Sequence, residues 1–197
     1  MHNKLSNVFK QRSSLTALML CFVMSAGFAQ QYFYTSQARP KAEIDTLFPY
    51  DVQLTASGVG EDTAATTSTD ILGQNLGKRP TVMIFWLTTC APCRLELDAI
   101  SKKIDSWNEQ ADFAFAPISL DFERRRAQFH DRAAAYPWES YLDEKREFPS
   151  VMPGGLNGVP QIFVFDDKGE QIFYRRKYRA GDLEALEALL VELSPRG

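Results

Sequence analysis

Seven consecutive apolar or β-branched residues, Thr81–Leu87 (TVMIFWL), run straight into Thr88-Thr89-Cys90-Ala91-Pro92-Cys93. An unbroken run of this kind suits a strand covered on both faces, which calls for helices packed on either side of a sheet. Beyond the cysteines, Leu95, Leu97, Ile100, Ile104 and Trp107 recur at helical spacing, with Arg94, Glu96, Asp98 and Lys102 between them. That is an amphipathic helix starting at the cysteine pair. The segment therefore predicts an α/β chain in which a buried strand hands a C-x-x-C pair to the mouth of a helix.

The rest of the chain extends this pattern. Pro49–Leu54 (PYDVQL) reads as a first short strand. Ser57–Ser68, rich in Gly, Thr and Ser, reads as a loop or irregular hairpin, and Gly77-Lys78-Arg79-Pro80 as a turn. Phe113–Leu120 is the next strand, Phe122–Ala135 a polar helical stretch, and Tyr136–Leu142 a short extended piece. Gly154, Gly155 and Gly158 mark a loop, and Val159-Pro160 leads into an apolar strand, Gln161–Phe165. Asp166-Asp167-Lys168-Gly169 is a turn, and Gln171–Arg176 the return strand of a hairpin. Leu183, Leu186, Leu189, Leu190 and Leu193 mark a C-terminal amphipathic helix. The order is strand–helix–strand–helix–strand–strand–helix, without a repeat or a second domain. Phe163 and Phe165 belong to the expected core; Trp107 and Trp138 read as structural, and Trp86 either as packing beside the cysteines or as plain core. Arg124-Arg125-Arg126 and Arg175-Arg176-Lys177 read as solvated faces.

The N-terminus has its own character. Lys4, Lys10 and Arg12 precede an apolar run from Leu15 to Ala29, with no acid before Glu43. Gly27 and Ala29 are placed for cleavage before Gln30. This is the layout of a secretory signal peptide, and the run falls short of the ~20 residues that a spanning helix needs. An uncleaved N-terminal membrane anchor is the alternative. The expected organisation is a signal peptide or anchor at 1–29, a flexible leader at 30–47 and one domain at 48–197. Removing 1–29 takes away three cations, no acid, and Cys21. The remaining chain is more acidic than the formal −3 of the whole, which excludes the basic groove of a nucleic-acid binder. Its two cysteines stand alone, in an extracytoplasmic compartment, with a bacterial periplasm as the expected location. The membrane enters only if the N-terminal segment is retained.

A disulfide between cysteines three residues apart closes too short a loop to stabilise much in the chain-entropy model, so chemistry explains the pair better than architecture. The first turn of a helix offers unpaired N–H groups and a partial positive end, and both favour a thiolate. Cysteines in this setting ionise at roughly pH 3.5–7.5. The outer thiolate, Cys90, attacks a disulfide, and Cys93, one turn along, resolves the mixed disulfide. Pro92 suits a first turn, where its missing N–H costs nothing. Other readings stay open. A zinc site would want four ligands, and only His130 joins the two cysteines; a copper carrier would want a Met or His cluster. A static disulfide in a non-enzymatic binding or chaperone module, and a thiol peroxidase, complete the alternatives. No metal or other cofactor is expected.

The stretch FWLTTCAPCRLEL resembles the active-site segment of the TlpA/ResA group of the thioredoxin-like superfamily, through Phe85, Trp86, Cys90, Pro92, Cys93, Arg94 and Glu96. GVPQIFVFDDKG resembles the family's second landmark, in which Val159-Pro160 corresponds to a cis peptide bond facing the cysteines. PYDVQL is similar to the family's N-terminal strand. The likeness spans roughly 48–195. It implies a thioredoxin-like fold: a central mixed β-sheet flanked by helices, with an N-terminal strand or hairpin extension. It also implies a disulfide oxidoreductase that reduces disulfides in extracytoplasmic proteins, with electrons from a membrane thiol carrier. The site it implies is Cys90 and Cys93, supported by Val159, Pro160, Trp86, Thr89, Ala91, Pro92 and Glu96, with the backbone of Val159 free to pair with a bound peptide. The chain departs from the pattern at Thr89, where relatives commonly carry Trp; at Asp98, in place of a helix-kinking Pro; and at Gln161, often Thr. Ile84 stands where cytosolic thioredoxins bury an Asp. Glu96 is the candidate for that missing proton acceptor, or else a solvent-facing residue complementing the positive helix end.

Overall fold

The computed structural model describes residues 52–57, 65–152, 155–179 and 181–196. The expected signal segment, the leader and Pro49–Asp51 lie outside them. A seven-stranded mixed sheet has the order β2-β1-β5-β4-β3-β6-β7, with β1 Gln53–Ala56, β2 Ala65–Thr67, β3 Thr81–Trp86, β4 Ala114–Ser119, β5 Tyr141–Leu142, β6 Gln161–Phe165 and β7 Gln171–Arg176. β3, β4 and β5 run parallel, with Trp86 opposite Ser119 and Ser119 opposite Leu142. β6 is antiparallel to β3 and β7 to β6, while the β1–β2 hairpin adds antiparallel to the β5 edge.

All six residues of β3 are buried, as the unbroken apolar run requires. Their alternation divides them between two cores. Val82, Ile84 and Trp86 face a core closed by Cys93, Leu97 and Ile100 of α2 (Ala91–Ser101), Trp107 of α3 (Ile104–Gln110), Phe129 of α4 (Arg126–Ala133), and Leu183, Leu186 and Leu190 of α6 (Asp182–Leu193). Met83 and Phe85 face the other, with Ile71 of α1 (Ser68–Gly73), Phe148 of α5 (Phe148–Val151), Phe163 and Phe165. Covering both faces holds β3 rigid at the centre, and its C-terminal end carries the cysteines.

Several elements differ from the sequence reading. β1 runs on to Ala56 instead of ending at Leu54. Of the two readings for 57–68, loop or irregular hairpin, the described part is the hairpin: Ala65–Thr67 forms its second arm, and Ser68 opens α1, a helix not expected there; residues 58–64 lie outside the described residues. The helix predicted to run through Trp107 breaks at Lys102-Lys103. Ser101 Oγ donates to the Asp98 carbonyl (2.9 Å), and the Lys103 N–H turns back to the Ile100 carbonyl (2.8 Å). These bonds compete with the regular ladder, and Ile104 and Trp107 still reach the same core from α3. The stretch after Phe122 starts as a 3-10 turn (Glu123–Arg125) before α4. Extended pairing in 136–142 narrows to Tyr141–Leu142; Tyr136 instead closes a turn onto the Ala133 carbonyl (3.0 Å), and its ring stacks on Trp138 (5.0 Å between centroids). Phe148–Val151 is a short helix that apolar periodicity does not reveal. Arg175, expected on a solvated face, is half-buried and ion-paired with the buried Asp182. Phe163, Phe165 and Trp107 are core residues as expected, and Trp86 is fully buried.

Candidate active site

Cys90 caps α2 with extended backbone (φ −81°, ψ 105°), and the Cys93 N–H donates to its sulfur at 3.2 Å. The cap thus replaces the usual side-chain oxygen with sulfur, and one of the helix's unpaired N–H groups points at the atom that would carry negative charge. Pro92 lies in the first turn, where its missing N–H leaves no gap in the ladder. The two sulfurs form a disulfide, with Cα atoms 5.2 Å apart. The pair is asymmetric: Cys90 is half-buried amid exposed Thr89, Ala91 and Pro92, while Cys93 is sealed in the core at 0% exposure.

The loop before the pair is clamped from two sides. Asp121, directly beyond β4 and buried, accepts from the Thr88 N–H (2.7 Å), the Thr88 hydroxyl (3.1 Å) and the Ser119 hydroxyl (2.8 Å). Arg94 reaches back along α2 to donate to the Thr88 carbonyl (2.9 Å). A small polar cleft of about 310 Å³, lined by Thr88, Thr89, Gln128, Asp131 and Arg132, opens beside this loop.

Facing the cysteines is the Val159-Pro160 bond, which is cis. The Val159 carbonyl oxygen sits 3.8 Å from Cys90 Sγ. Gln161 braces the turn: its amide donates to the Gly158 carbonyl (2.5 Å), and its side-chain oxygen accepts from the Tyr174 hydroxyl (2.9 Å). Lys177 N–H donates to the Pro160 carbonyl (3.0 Å). The structure therefore brings Cys90, Cys93, Thr89, Ala91, Pro92, Val159 and Pro160 to one end of the sheet.

Glu96 is the largest departure from a bland reading. It does not face solvent but lies on the buried side of α2, one turn after Cys93, at 1% exposure. Its Oε2 has no hydrogen-bond partner among the described residues, and burial pushes its carboxyl up to about 7. A group that must lose its proton in low dielectric holds it to higher pH. Trp86 lies in the core, its ring edge-on to Tyr136, and touches the site only through its contacts with the core beneath the cysteines. Asp98 accepts from the Tyr136 hydroxyl (3.0 Å), and burial together with that bond raises Tyr136 to about 12.

Sequence reasoning missed Asp121, Arg94 as a clamp, Gln161 as a brace, and the exposed apolar residues Leu95 (64%), two after Cys93, and Phe122 (45%), in the loop that follows β4. The available signal was an acid placed directly after a buried strand, Ser119-Leu120-Asp121, where a carboxylate is costly unless it serves neighbouring donors. Among the described residues, no three His, Cys, Asp or Glu side chains converge on a metal-sized site, and no helix is long and apolar enough to cross a membrane.

Comparison with solved structures gives consistent matches. A thioredoxin-like protein from Porphyromonas gingivalis shares 20% identity over 74% of this chain and 90% of its own, with a TM-score of 0.60. The thioredoxin domain of a thiol-disulfide oxidoreductase from Bacteroides vulgatus shares 19% over 75% and 97% (TM-score 0.54). A secreted disulfide oxidoreductase from Mycobacterium tuberculosis shares 15% over 73% and 96% (TM-score 0.54). No family model matches the chain, and no curated protein matches it by sequence. The fold is thioredoxin-like, with the N-terminal hairpin on the β5 edge as its extension.

Proposed function

We propose that the chain is an exported thiol–disulfide oxidoreductase that reduces disulfides in extracytoplasmic proteins. The observation that carries this reading is the asymmetry of the pair: Cys90 at the helix mouth, half-buried and 3.8 Å from the Val159 carbonyl of a cis turn, with Cys93 sealed behind it. A structural disulfide needs no such access on one sulfur only.

In the reducing direction, the Cys90 thiolate attacks one sulfur of a substrate disulfide and expels the other as a thiolate. Cys93 then attacks Cys90 Sγ, which releases the second substrate sulfur and leaves the Cys90–Cys93 disulfide. Two electrons pass to the substrate. Cys93 must lose its proton inside the core, and Glu96, one turn away with a carboxyl near 7, is suited to take it. The Val159 backbone, whose N–H has no partner among the described residues, is suited to pair with the substrate chain. Regeneration needs a dithiol donor, for which a membrane thiol carrier is the expected class. Export rests on the signal-peptide layout of residues 1–29, ahead of a working domain at 48–197, and agrees with the secreted M. tuberculosis relative. Cys93→Ser in the reduced protein should trap mixed disulfides through Cys90. Failure to trap any, while Cys90→Ser keeps exchange activity, would overturn the reading.

A further inference from the structure

The three parallel strands end at one edge, and the loops leaving them converge there. Trp86, Ser119 and Leu142 are in register. Four residues after Trp86 comes Cys90, three after Ser119 comes Phe122, and four after Leu142 comes Arg146. Phe122 is 45% exposed, with the Arg146 guanidinium 4.6 Å and the Arg124 guanidinium 5.0 Å from its ring centroid. Arg146 holds φ at 55°, a conformation that non-glycine residues adopt at a cost. Buried Asp143 fixes that turn by accepting from the Glu147 and Phe148 N–H groups (3.0 Å each), and its own N–H donates to the Ser119 carbonyl (2.9 Å). Ser119 in turn bonds Asp121, which clamps Thr88. A continuous bonded path therefore ties the arginine turn to the loop that carries Cys90.

Two cations gathered on one exposed ring repel each other, and neither has a carboxylate partner among the described residues. Arg126 engages the neighbouring acids Glu123 (3.8 Å) and Glu144 (2.6 Å) instead, and Glu147, next to Arg146, makes no ion pair with it. Resting on the aromatic ring restricts both guanidiniums, so little freedom is lost when they bind a carboxylate in two-pronged fashion. We propose that Phe122, Arg124 and Arg146 form a docking patch for an acidic segment flanking the target disulfide of a protein substrate. The proposal deepens the oxidoreductase reading and rests on it for the identity of the target. A membrane surface fits poorly, since anionic bilayers recruit clusters of four to eight basic residues and this chain is net acidic.

The test compares three disulfide-linked peptides with Asp/Glu, Ser/Gly or Lys flanks in single-turnover exchange with the reduced protein. Serine analogues of the same peptides, titrated against the oxidised protein, report binding without exchange. The acidic peptide should be preferred over the neutral one by about tenfold at low salt, with the preference fading as salt rises. In Arg124→Gln/Arg146→Asn, where Asn tolerates the positive φ, the ratio should fall toward one. Arg124→Gln alone should lower it partway and disturbs no strained turn. Equal rates and affinities for acidic and neutral peptides would overturn the patch, as would a ratio unmoved by both variants. So would binding of the protein to phosphatidylserine vesicles with no acidic-peptide preference. A preference in the serine titrations with no exchange in any peptide would uphold the patch and refute the oxidoreductase reading.

Discussion

The two ends of the parallel strands treat their charges differently. Before β3 and β4, Asp112 lies between two arginines, Arg79 at 3.2 Å and Arg196 at 3.1 Å, and these bonds, Arg196 foremost, draw its carboxyl below the ordinary range. Asn75 adds a second partner to Arg79 at 2.7 Å. Beyond β3, β4 and β5, among the described residues, Glu96 keeps an unpaired oxygen in the core, two arginines stack on a ring without a counter-ion, and Leu95 and Phe122 face water. The first end also borders the larger cleft, about 470 Å³, lined by residues including Arg79, Phe113 and Trp138. Size alone would select it as the site, yet the arginine that lines it is already paired, with Asp112 and Asn75. Unmet polar and charged groups beside a reactive sulfur are a better marker of function than volume.

Breaking that contrast should produce effects of graded size. Cys90→Ser should lower disulfide exchange to the uncatalysed rate, measured by reduction of a test protein disulfide, because no other sulfur is exposed at the site. Glu96→Gln should act on both rate and stability. The folded carboxyl titrates near 7, against 4.5 unfolded. The unfolded chain therefore releases this proton first, and the group costs no stability below about pH 4.5 and its full penalty above about pH 7. Glutamine removes that penalty, so the oxidised variant should gain up to about 3 kcal/mol over wild type in denaturant melts at pH 8, and little at pH 4. Exchange should slow by about tenfold or more and lose its inflection near pH 7. Unchanged stability at pH 8 would show that the carboxyl is not held buried and charged.

Asp121→Ala should cost about 1–3 kcal/mol, because it strands the half-buried Thr88 N–H and the buried Ser119 hydroxyl, and should slow exchange by loosening the Cys90 loop. At the other end, Asp112→Asn should cost less than about 1 kcal/mol, as half-exposed ion pairs do, and should leave exchange unaltered. If Asp112→Asn slowed exchange as much as Asp121→Ala, the two ends would not be functionally distinct.

Legibility in the sequence followed the same division. The buried run Thr81–Leu87 and the C-x-x-C pair are readable because each imposes a local pattern, continuous hydrophobicity or fixed spacing, whereas Val159-Pro160 is placed opposite the cysteines only by the family resemblance of its segment. Ser68–Gly73 and Phe148–Val151 are not readable, since helices of six and four residues are too short to show a period and are held by tertiary contacts. Asp121 follows β4 in sequence and joins the Cys90 loop in space, a pairing made only by the parallel register of β3 and β4. For Glu96 the sequence leaves two readings, a proton acceptor near the cysteines or a solvent-facing member of an alternating helix. Its burial comes from the rotation of α2 against β3, which the spacing of Leu95, Leu97 and Ile100 left undetermined: Leu95 proved exposed and Glu96 buried.

The account depends on the helix mouth ionising Cys90 while Cys93 stays enclosed. Following iodoacetamide labelling of the fully reduced protein across pH, with each cysteine resolved by peptide mapping, measures this directly. Cys90 should label with a midpoint at or below about pH 7.5, well under the ~8.5 of a free thiol, while Cys93 reacts far more slowly. A Cys90 midpoint of about 8.5 or higher, or equal labelling of the two, would contradict it.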